Sequence, residues 1–296
     1  MTAAAIGYEA LVAGLQVAAQ EFASGRIQSP ARIGVALRGE GVCLSMPASA
    51  EDICIHKLVT MQPANKDRGL PTIQGVVTVC DARTGSPVCF LDGPELTGRR
   101  TAAISMLGIR TFLRRPPRAV LLIGTGIQST HHALALQALY PETAILVRGK
   151  DRAAEEAFCA ARGPARCAMA PCPEQIPDAA EVVITLTTSK SIVYDEEARP
   201  DRLVIGVGAF RPDMAEIGPR TLAGSRIYAD DPGGARHEAG DLIRAGVDWS
   251  AVGDLCDGFS ARDAAAPAPV VLKSVGTAAW DLAAARVALR SLAERK

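Results

Sequence analysis

No apolar stretch of this 296-residue chain approaches the roughly 20 residues that a membrane-spanning helix needs, and no basic run is longer than the pair Arg114-Arg115. Thirty-two Lys and Arg residues balance thirty-two Asp and Glu, which leaves no global field to gather nucleic acid or an anionic membrane. The eight cysteines, Cys43, Cys54, Cys80, Cys89, Cys159, Cys167, Cys172 and Cys256, form neither a CxxC nor a cluster with any of the four histidines, so they spell no zinc site. They read as reduced, small core residues. The opening MTAAAIGYEALVAGL has neither the basic start nor the cleavage region of a signal peptide, and the expectation is a cytoplasmic protein. A chain of this length can build one large or two ordinary domains, and its balanced charge suits a small polar partner.

What is present is most informative from Ala119 to Leu139, AVLLIGTGIQSTHHALALQAL, a continuous apolar run that enters a glycine turn and leaves it with helical periodicity. AVLLI reads as a buried parallel strand. Gly124 lets the backbone turn, and Gly126 lets a pyrophosphate approach the main chain where a helix begins near Ile127. The third small position is Ser129 instead of glycine, so an ordinary strand-to-helix turn stands as the competing reading. His131 and His132 follow on the helix, as packed or cofactor-facing residues. The next strand, within AILVRGKDR, ends about twenty residues past the glycines, where an NAD site carries an acid. Arg148, Lys150 and Arg152 stand there instead, and a cation at the ribose favours the 2′-phosphate of NADPH over the free hydroxyl of NADH. A solvated basic loop is the plainer alternative.

The pattern divides the chain. Gly34 to Met46, Ile53 to Met61, Ile73 to Asp81 and Pro87 to Leu91 read as strands of an antiparallel meander, with Gly85 placed for a turn in DARTGSP. Tyr8 to Ala23 reads as a leading helix. A second helix, capped by Thr97, runs to about Leu113, burying Ile104, Leu107 and Ile109 and ending before Pro116-Pro117. From Ala119 strands alternate with helices: Ala119 to Ile123, Ala144 to Val147, Val182 to Thr185, Leu203 to Val207 and Arg226 to Ala229. The Ala/Pro stretch Ala264 to Pro269 reads as a linker. The alanine-rich helix after it, apolar through Leu282, Val287 and Leu289, needs a surface to pack on. The fold class is therefore α/β: a Rossmann-type doubly wound parallel sheet over 118–270, plus a discontinuous α+β substrate-binding and dimerisation domain over 1–117 and 271–296.

Three cations of the first hundred residues stand out. Arg32 follows Pro30 just before a strand, and Arg100 lies in the first turn of the TGRRTAAIS helix. Lys57 sits inside ICIHKLVTM, sharing a face with Ile55 and Val59, where burial costs unless an anion or a cleft receives the ammonium. A wet strand face is the other reading of the same alternation.

The series HKLVTMQPANKDRGLPTIQGVVTV, LTGRRTAAISMLG, LLIGTGIQS, VVITLTTS, VIGVGAFRPDMAEI and SVGTAAWDLAAA resembles, in that order and across nearly the whole chain, the ornithine cyclodeaminase and mu-crystallin family. It is most similar to the Δ1-pyrroline-2-carboxylate reductase branch through GLPTI, GRRTAA, ITLTTS, VGAF-x-PD-x-AEI and DDP-x-GARHEAGDLI. The resemblance implies that Arg32, Lys57 and Arg100 hold the substrate carboxylate and its surroundings, with Lys57 the catalytic candidate. It implies a cofactor site of Gly124, Gly126, Ile127 and Gln128 at the turn, and Thr185, Thr187, Thr188 and Ser189 beside the adenosine. Val207, Gly208 and Ala209 border the nicotinamide, and the SVG turn with Val275 and Gly276 closes the cleft. True cyclodeaminases carry an acid after the VGG or VGA turn, and this chain has Phe210. Deaminating ornithine needs a base near the reacting nitrogen; reducing a preformed cyclic imine does not. The implied activity is NADPH-dependent reduction of Δ1-pyrroline-2-carboxylate and Δ1-piperideine-2-carboxylate to proline and pipecolate, by a homodimer. The competing expectations are ornithine cyclodeaminase or alanine dehydrogenase-like activity, and a mu-crystallin-like protein that binds NADPH and a small ligand.

Overall fold

The structure is a computed structural model that describes residues 1–161, 167–261 and 268–294. In chain order its elements are helices α1 (Thr2–Ala5) and α2 (Tyr8–Ala23), strands β1 (Ile33–Ala36), β2 (Val42–Ser49), β3 (Ile53–Met61), β4 (Ile73–Asp81) and β5 (Pro87–Asp92), and helix α3 (Gly93–Phe112). There follow β6 (Ala119–Ile123), α4 (Ile127–Leu139), β7 (Ala144–Arg148), α5 (Arg152–Ala160), β8 (Met169–Pro171), β9 (Ala180–Thr185) and β10 (Leu203–Gly206). The last elements are α6 (Pro219–Ala223), β11 (Arg226–Ala229), α7 (Pro232–Glu238), α8 (Gly240–Ala245), α9 (Leu255–Ala261), β12 (Val270–Lys273) and α10 (Ala278–Ala293). Two compact units result, residues 1–100 with 277–296 and residues 101–276, so the division falls inside α3 and after the SVG turn, against the sequence-drawn limits at 117/118 and 270/271. No helix among the described residues is long and apolar enough to cross a membrane.

In the first unit the strands pair antiparallel in the order β1-β2-β3-β4-β5. Alternation puts Met46, Ile53, Ile55, Val77, Val79 and Leu91 on one buried face, which α10 covers. Helix α2 buries Leu11, Leu15 and Ala18 and packs on α10. Helix α10 is enclosed on nearly all sides, which its alanines permit, and Trp280 meets Phe22 edge to face at 5.7 Å. The single strand expected over Gly34 to Met46 is instead the β1-β2 hairpin. Gly39 and Glu40 turn it with φ of 68° and 60°, and Leu37 N donates to Gly41 O at 2.8 Å. Gly85, at φ 72°, turns the chain between β4 and β5 as read from the sequence. Helix α3 begins four residues before Thr97. Asp92 Oδ1 accepts from Glu95 N at 2.7 Å and starts the helix at Gly93, so Arg100 lies inside the helix and not in its first turn.

The second unit holds a seven-stranded sheet in the order β11-β12-β10-β9-β6-β7-β8, and every pair in it is parallel. Its strands read as apolar runs because helices cover both faces, and all five residues of β6 are buried. Val270–Lys273, which the sequence reading left beside the C-terminal helix, is a strand between β10 and β11. β8 carries no pattern of its own beyond three residues paired to β7. Most of the expected linker, residues 264–267, lies outside the described residues. From β6 the strand order runs one way through β7 and the other way through β9, and a crevice at the carboxyl ends of such a switch point is where α/β sheets bind ligands.

Candidate active site

In the first unit, β3 carries Lys57 on its inward face, where the side chain is only 2% exposed. Its Nζ lies 2.5 Å from Oδ2 of Asp281, in the first turn of α10. Arg100 donates from Nε to the other oxygen, Oδ1, at 3.1 Å. One buried carboxylate thus stands between two cations. The Lys57 pKa is lowered to about 8, chiefly by burial, with Arg100 and Arg32 acting in the same direction and Asp281 opposing them. Arg32 is half-buried and close enough to act on Lys57. The structure therefore brings together the three cations singled out in the sequence and adds Asp281, which sequence reasoning missed. Asp281 stands beside Trp280, Leu282 and Ala283 in the buried stretch of α10, but the helix also carries Arg286 and Arg290, so the sequence alone did not single it out.

In the second unit, Gly124 has φ 125°, and a Cβ there would stand 2.8 Å from Leu186 O of the loop after β9. Glycine is required on both counts. Gly126 is the N-cap of α4 with no side chain capping it, and a Cβ there would meet nothing within 4 Å. The first amides of α4, at Ile127 and Gln128, thus have no side-chain cap at the positive end of a helix, and the backbone at Gly126 is open to close approach, the arrangement that receives a phosphate. Ile127 is 64% exposed, an unusual place for an apolar side chain, and Gln128 Oε1 is buried without a hydrogen bond. Ser129, in the place of a third glycine, is fully buried. These features fit a dinucleotide. His132 is also buried, its ring nitrogens paired with Ser105 Oγ at 2.9 Å and Gln128 O at 2.8 Å, and burial pushes its pKa down to about 4. It holds α4 to α3 as a neutral ring.

Beyond β7, the acids are spent on the main chain: Asp151 Oδ1 caps α5 at Ala154 N, and Glu155 Oε1 accepts from Gly149 N. Arg148 donates from Nη2 to Pro173 O at 2.7 Å and Glu174 O at 2.9 Å, tying down the segment after β8. Lys150 and Arg152 keep side chains 83% and 60% exposed. At the ends of β9 and β10, Thr185, Thr187, Gly208 and Ala209 all hydrogen bond to the Glu216 carboxylate, with Val207 buried beside them and Thr188 exposed. Val275 and Gly276 donate their amides to Asp230, and Gly276 has φ 76°. Phe210 is half-buried. The nearest acid along the chain, Asp213, is paired with Arg211 at 2.6 Å and Lys190 at 3.0 Å, so that turn presents no unengaged carboxylate among the described residues.

Comparison with known proteins adds ancestry to this geometry. Residues 4–296 match the profile of the ornithine cyclodeaminase/mu-crystallin family. The chain is 52% identical to Delta(1)-pyrroline-2-carboxylate/Delta(1)-piperideine-2-carboxylate reductase of Azospirillum brasilense, over 100% of this chain and 95% of that protein. It is 51% identical, with the same coverage, to Delta(1)-pyrroline-2-carboxylate reductase 1 of Burkholderia multivorans. Among solved structures, Thermococcus litoralis Delta(1)-pyrroline-2-carboxylate reductase in complex with NADH and L-proline superposes with a TM-score of 0.84 at 20% identity, over 98% of this chain and 94% of that one. That last likeness establishes the shared fold.

Proposed function

Because the chain belongs to the ornithine cyclodeaminase/mu-crystallin family, we propose that it reduces the cyclic imines Δ1-pyrroline-2-carboxylate and Δ1-piperideine-2-carboxylate to proline and pipecolate, with NADPH preferred over NADH. The observation that carries this reading is the charge of the Lys57, Asp281 and Arg100 cluster. Among the described residues, two cations against the one carboxylate of Asp281 leave a positive charge in a buried setting, and Arg32 lies close enough to act on Lys57. A monoanionic α-imino carboxylate supplies the missing charge. The names of relatives at 51 and 52% identity support the same substrate class.

Arg100 engages Asp281 through its inner nitrogen, Nε, which suits its forked end to a substrate carboxylate, with Arg32 beside it. Lys57 holds its proton at neutral pH, yet its lowered pKa brings it nearer to donating that proton to the imine nitrogen than an ordinary lysine. Asp281 orients both cations. In the second unit Gly124, Gly126, Ile127 and Gln128 hold the pyrophosphate of the cofactor, and Arg148, Lys150 and Arg152 supply the positive field for a 2′-phosphate. Thr185, Thr187, Thr188, Val207, Gly208, Ala209, Val275 and Gly276 line the remainder. Bound there, the reduced nicotinamide supplies the hydride that adds to C2 of the C=N bond as the nitrogen takes a proton. Phe210 and the engaged Asp213 leave no base for cyclodeamination in that turn.

A homodimer belongs to the same reading. The outer face of the five-stranded sheet exposes Ile33, Val35, Leu58, Val76, Val88 and Phe90, an apolar surface that a second copy can cover. The function is tested by following the absorbance of NADPH with freshly generated Δ1-pyrroline-2-carboxylate, and with ornithine as control. Imine-dependent oxidation with none from ornithine is expected. Ammonia release from ornithine, or hormone-like ligand binding without turnover, contradicts it.

A further inference from the structure

Glu216 lies in the VGAFRPDMAEI motif, between β10 and α6, and the roles assigned so far leave it unused. It is fully buried, and its carboxylate accepts five hydrogen bonds. Oε1 takes Thr187 N at 2.6 Å and Thr187 Oγ1 at 2.8 Å. Oε2 takes Thr185 Oγ1 at 2.9 Å, Gly208 N at 2.7 Å and Ala209 N at 3.0 Å. The two oxygens thus join the loop after β9 to the loop after β10.

A second layer holds Glu216 itself. Its amide and that of Ile217 donate to Oδ1 of Asp241, and Lys273, the last residue of β12, donates from Nζ to Asp241 Oδ2 at 2.7 Å. All three charged side chains are buried. The joined loops approach so closely that a Cβ on Gly208 would stand 2.0 Å from Thr187 O and 2.6 Å from Glu216 Oε1. The β9 loop also abuts the glycine turn, since a Cβ on Gly124 would meet Leu186 O at 2.8 Å.

The sheet topology says which part of a dinucleotide these loops serve. With the pyrophosphate at Gly124 to Gly126 and the ribose of the adenosine at the end of β7, the other nucleoside lies on the opposite side of the switch point, over the ends of β9 and β10. We propose that Glu216 is the positioning residue for the nicotinamide half of the cofactor, fixing the Thr185–Thr188 and Val207–Ala209 loops against each other as its seat, which moves the Thr185–Thr188 loop from the adenosine side that the family resemblance implied to the nicotinamide side. It acts through those loops and touches neither substrate nor cofactor. Its charge has a further effect. With Asp241 and Lys273 it leaves one net negative charge buried under the seat, which favours the oxidised, cationic nicotinamide over the reduced, neutral one. This assignment rests on the nucleotide reading of the second unit.

Fluorescence titration of Glu216→Gln tests it with three ligands: NADPH, NADP+ and 2′-phospho-ADP-ribose, the same dinucleotide without its nicotinamide. The substitution keeps the shape but removes the charge and puts an NH2 where an acceptor is needed. The Kd for NADPH is expected to rise about tenfold and that for NADP+ by a further severalfold, with 2′-phospho-ADP-ribose changing less than about twofold. Glu216→Asp is the second variant. It keeps the charge but shortens the reach, so it should weaken NADPH similarly and preserve the wild-type ratio of NADP+ to NADPH affinity. Wild-type affinities in Glu216→Gln, or an equal loss for all three ligands, overturn the assignment. Failure of the wild type to bind any of them overturns the nucleotide reading and the assignment with it.

Discussion

The two units each bury a three-charge cluster, and the clusters are opposites. In the first, one carboxylate, Asp281, serves two cations, Lys57 and Arg100, and its Oδ2 meets the lysine as an ion pair without an aligned hydrogen bond. In the second, two carboxylates, Glu216 and Asp241, stand with one cation, Lys273, and main-chain amides, hydroxyls and the Lys273 ammonium between them fill every carboxylate oxygen. A saturated network has every acceptor oxygen answered within the protein and serves to fix loops. An unsaturated cluster with a surplus charge is costly until a ligand completes it. That contrast assigns the first cluster to reading the substrate and the second to building the cofactor seat.

Breaking the unsaturated cluster at its reacting member has the largest expected effect. Lys57→Ala should lower kcat by about a thousandfold with little loss of stability, since Asp281 and Arg100 remain paired. In the wild type, kcat/KM should be level below the Lys57 pKa of about 8 and fall as pH rises through it, because the ammonium is then lost. A fully active Lys57→Ala removes the residue from the mechanism. Asp281→Ala tests the same cluster through stability. It leaves two buried cations uncompensated and should cost roughly 3–5 kcal/mol in urea unfolding. A loss under about 1 kcal/mol contradicts the shared-counterion role.

The fold was largely legible where hydrophobic periodicity met firm punctuation. Helix α2 and strands β3, β4, β6 and β11 have the limits read from the chain; Lys57 was found because a charge interrupting an apolar strand is conspicuous, and Arg100 through the family resemblance of its GRRTAA motif. The misses have physical causes. The β1-β2 turn needed Glu40 in a left-handed conformation, which its residue type does not advertise. The start of α3 was hidden by Gly93-Pro94, which reads as a break although Asp92 and Glu95 form a cap signature. β12 follows an Ala/Pro stretch, and its four residues gain a partner only through long-range parallel pairing. Asp281 and Glu216 were overlooked because a lone acid looks the same in sequence whether it is solvated or holds a site together.

Two smaller effects sharpen the contrast from the second unit. His132 has a folded pKa of about 4 against an ordinary 6.5, so the unfolded chain binds the extra proton and stability falls as pH drops from about 6.5 to about 4. The full effect is on the order of 3 kcal/mol, and His132→Gln should flatten that part of the stability profile. An unchanged slope would place the acid sensitivity elsewhere. Smaller still, Arg148→Ala and Lys150→Ala should each raise the NADPH Michaelis constant and lower the NADPH to NADH preference about fivefold, whereas an unchanged ratio refutes the 2′-phosphate assignment.

The central claim is that surplus positive charge in the first unit reads the carboxylate of a cyclic imine. It is tested most directly by comparing kcat/KM, with NADPH, for Δ1-pyrroline-2-carboxylate and for Δ1-pyrroline, the same ring without its carboxylate. The account predicts a preference of at least about a hundredfold for the carboxylate, the scale of leaving a buried charge without its partner. Equal rates for the two rings, or faster reduction of the one lacking the carboxylate, would contradict it.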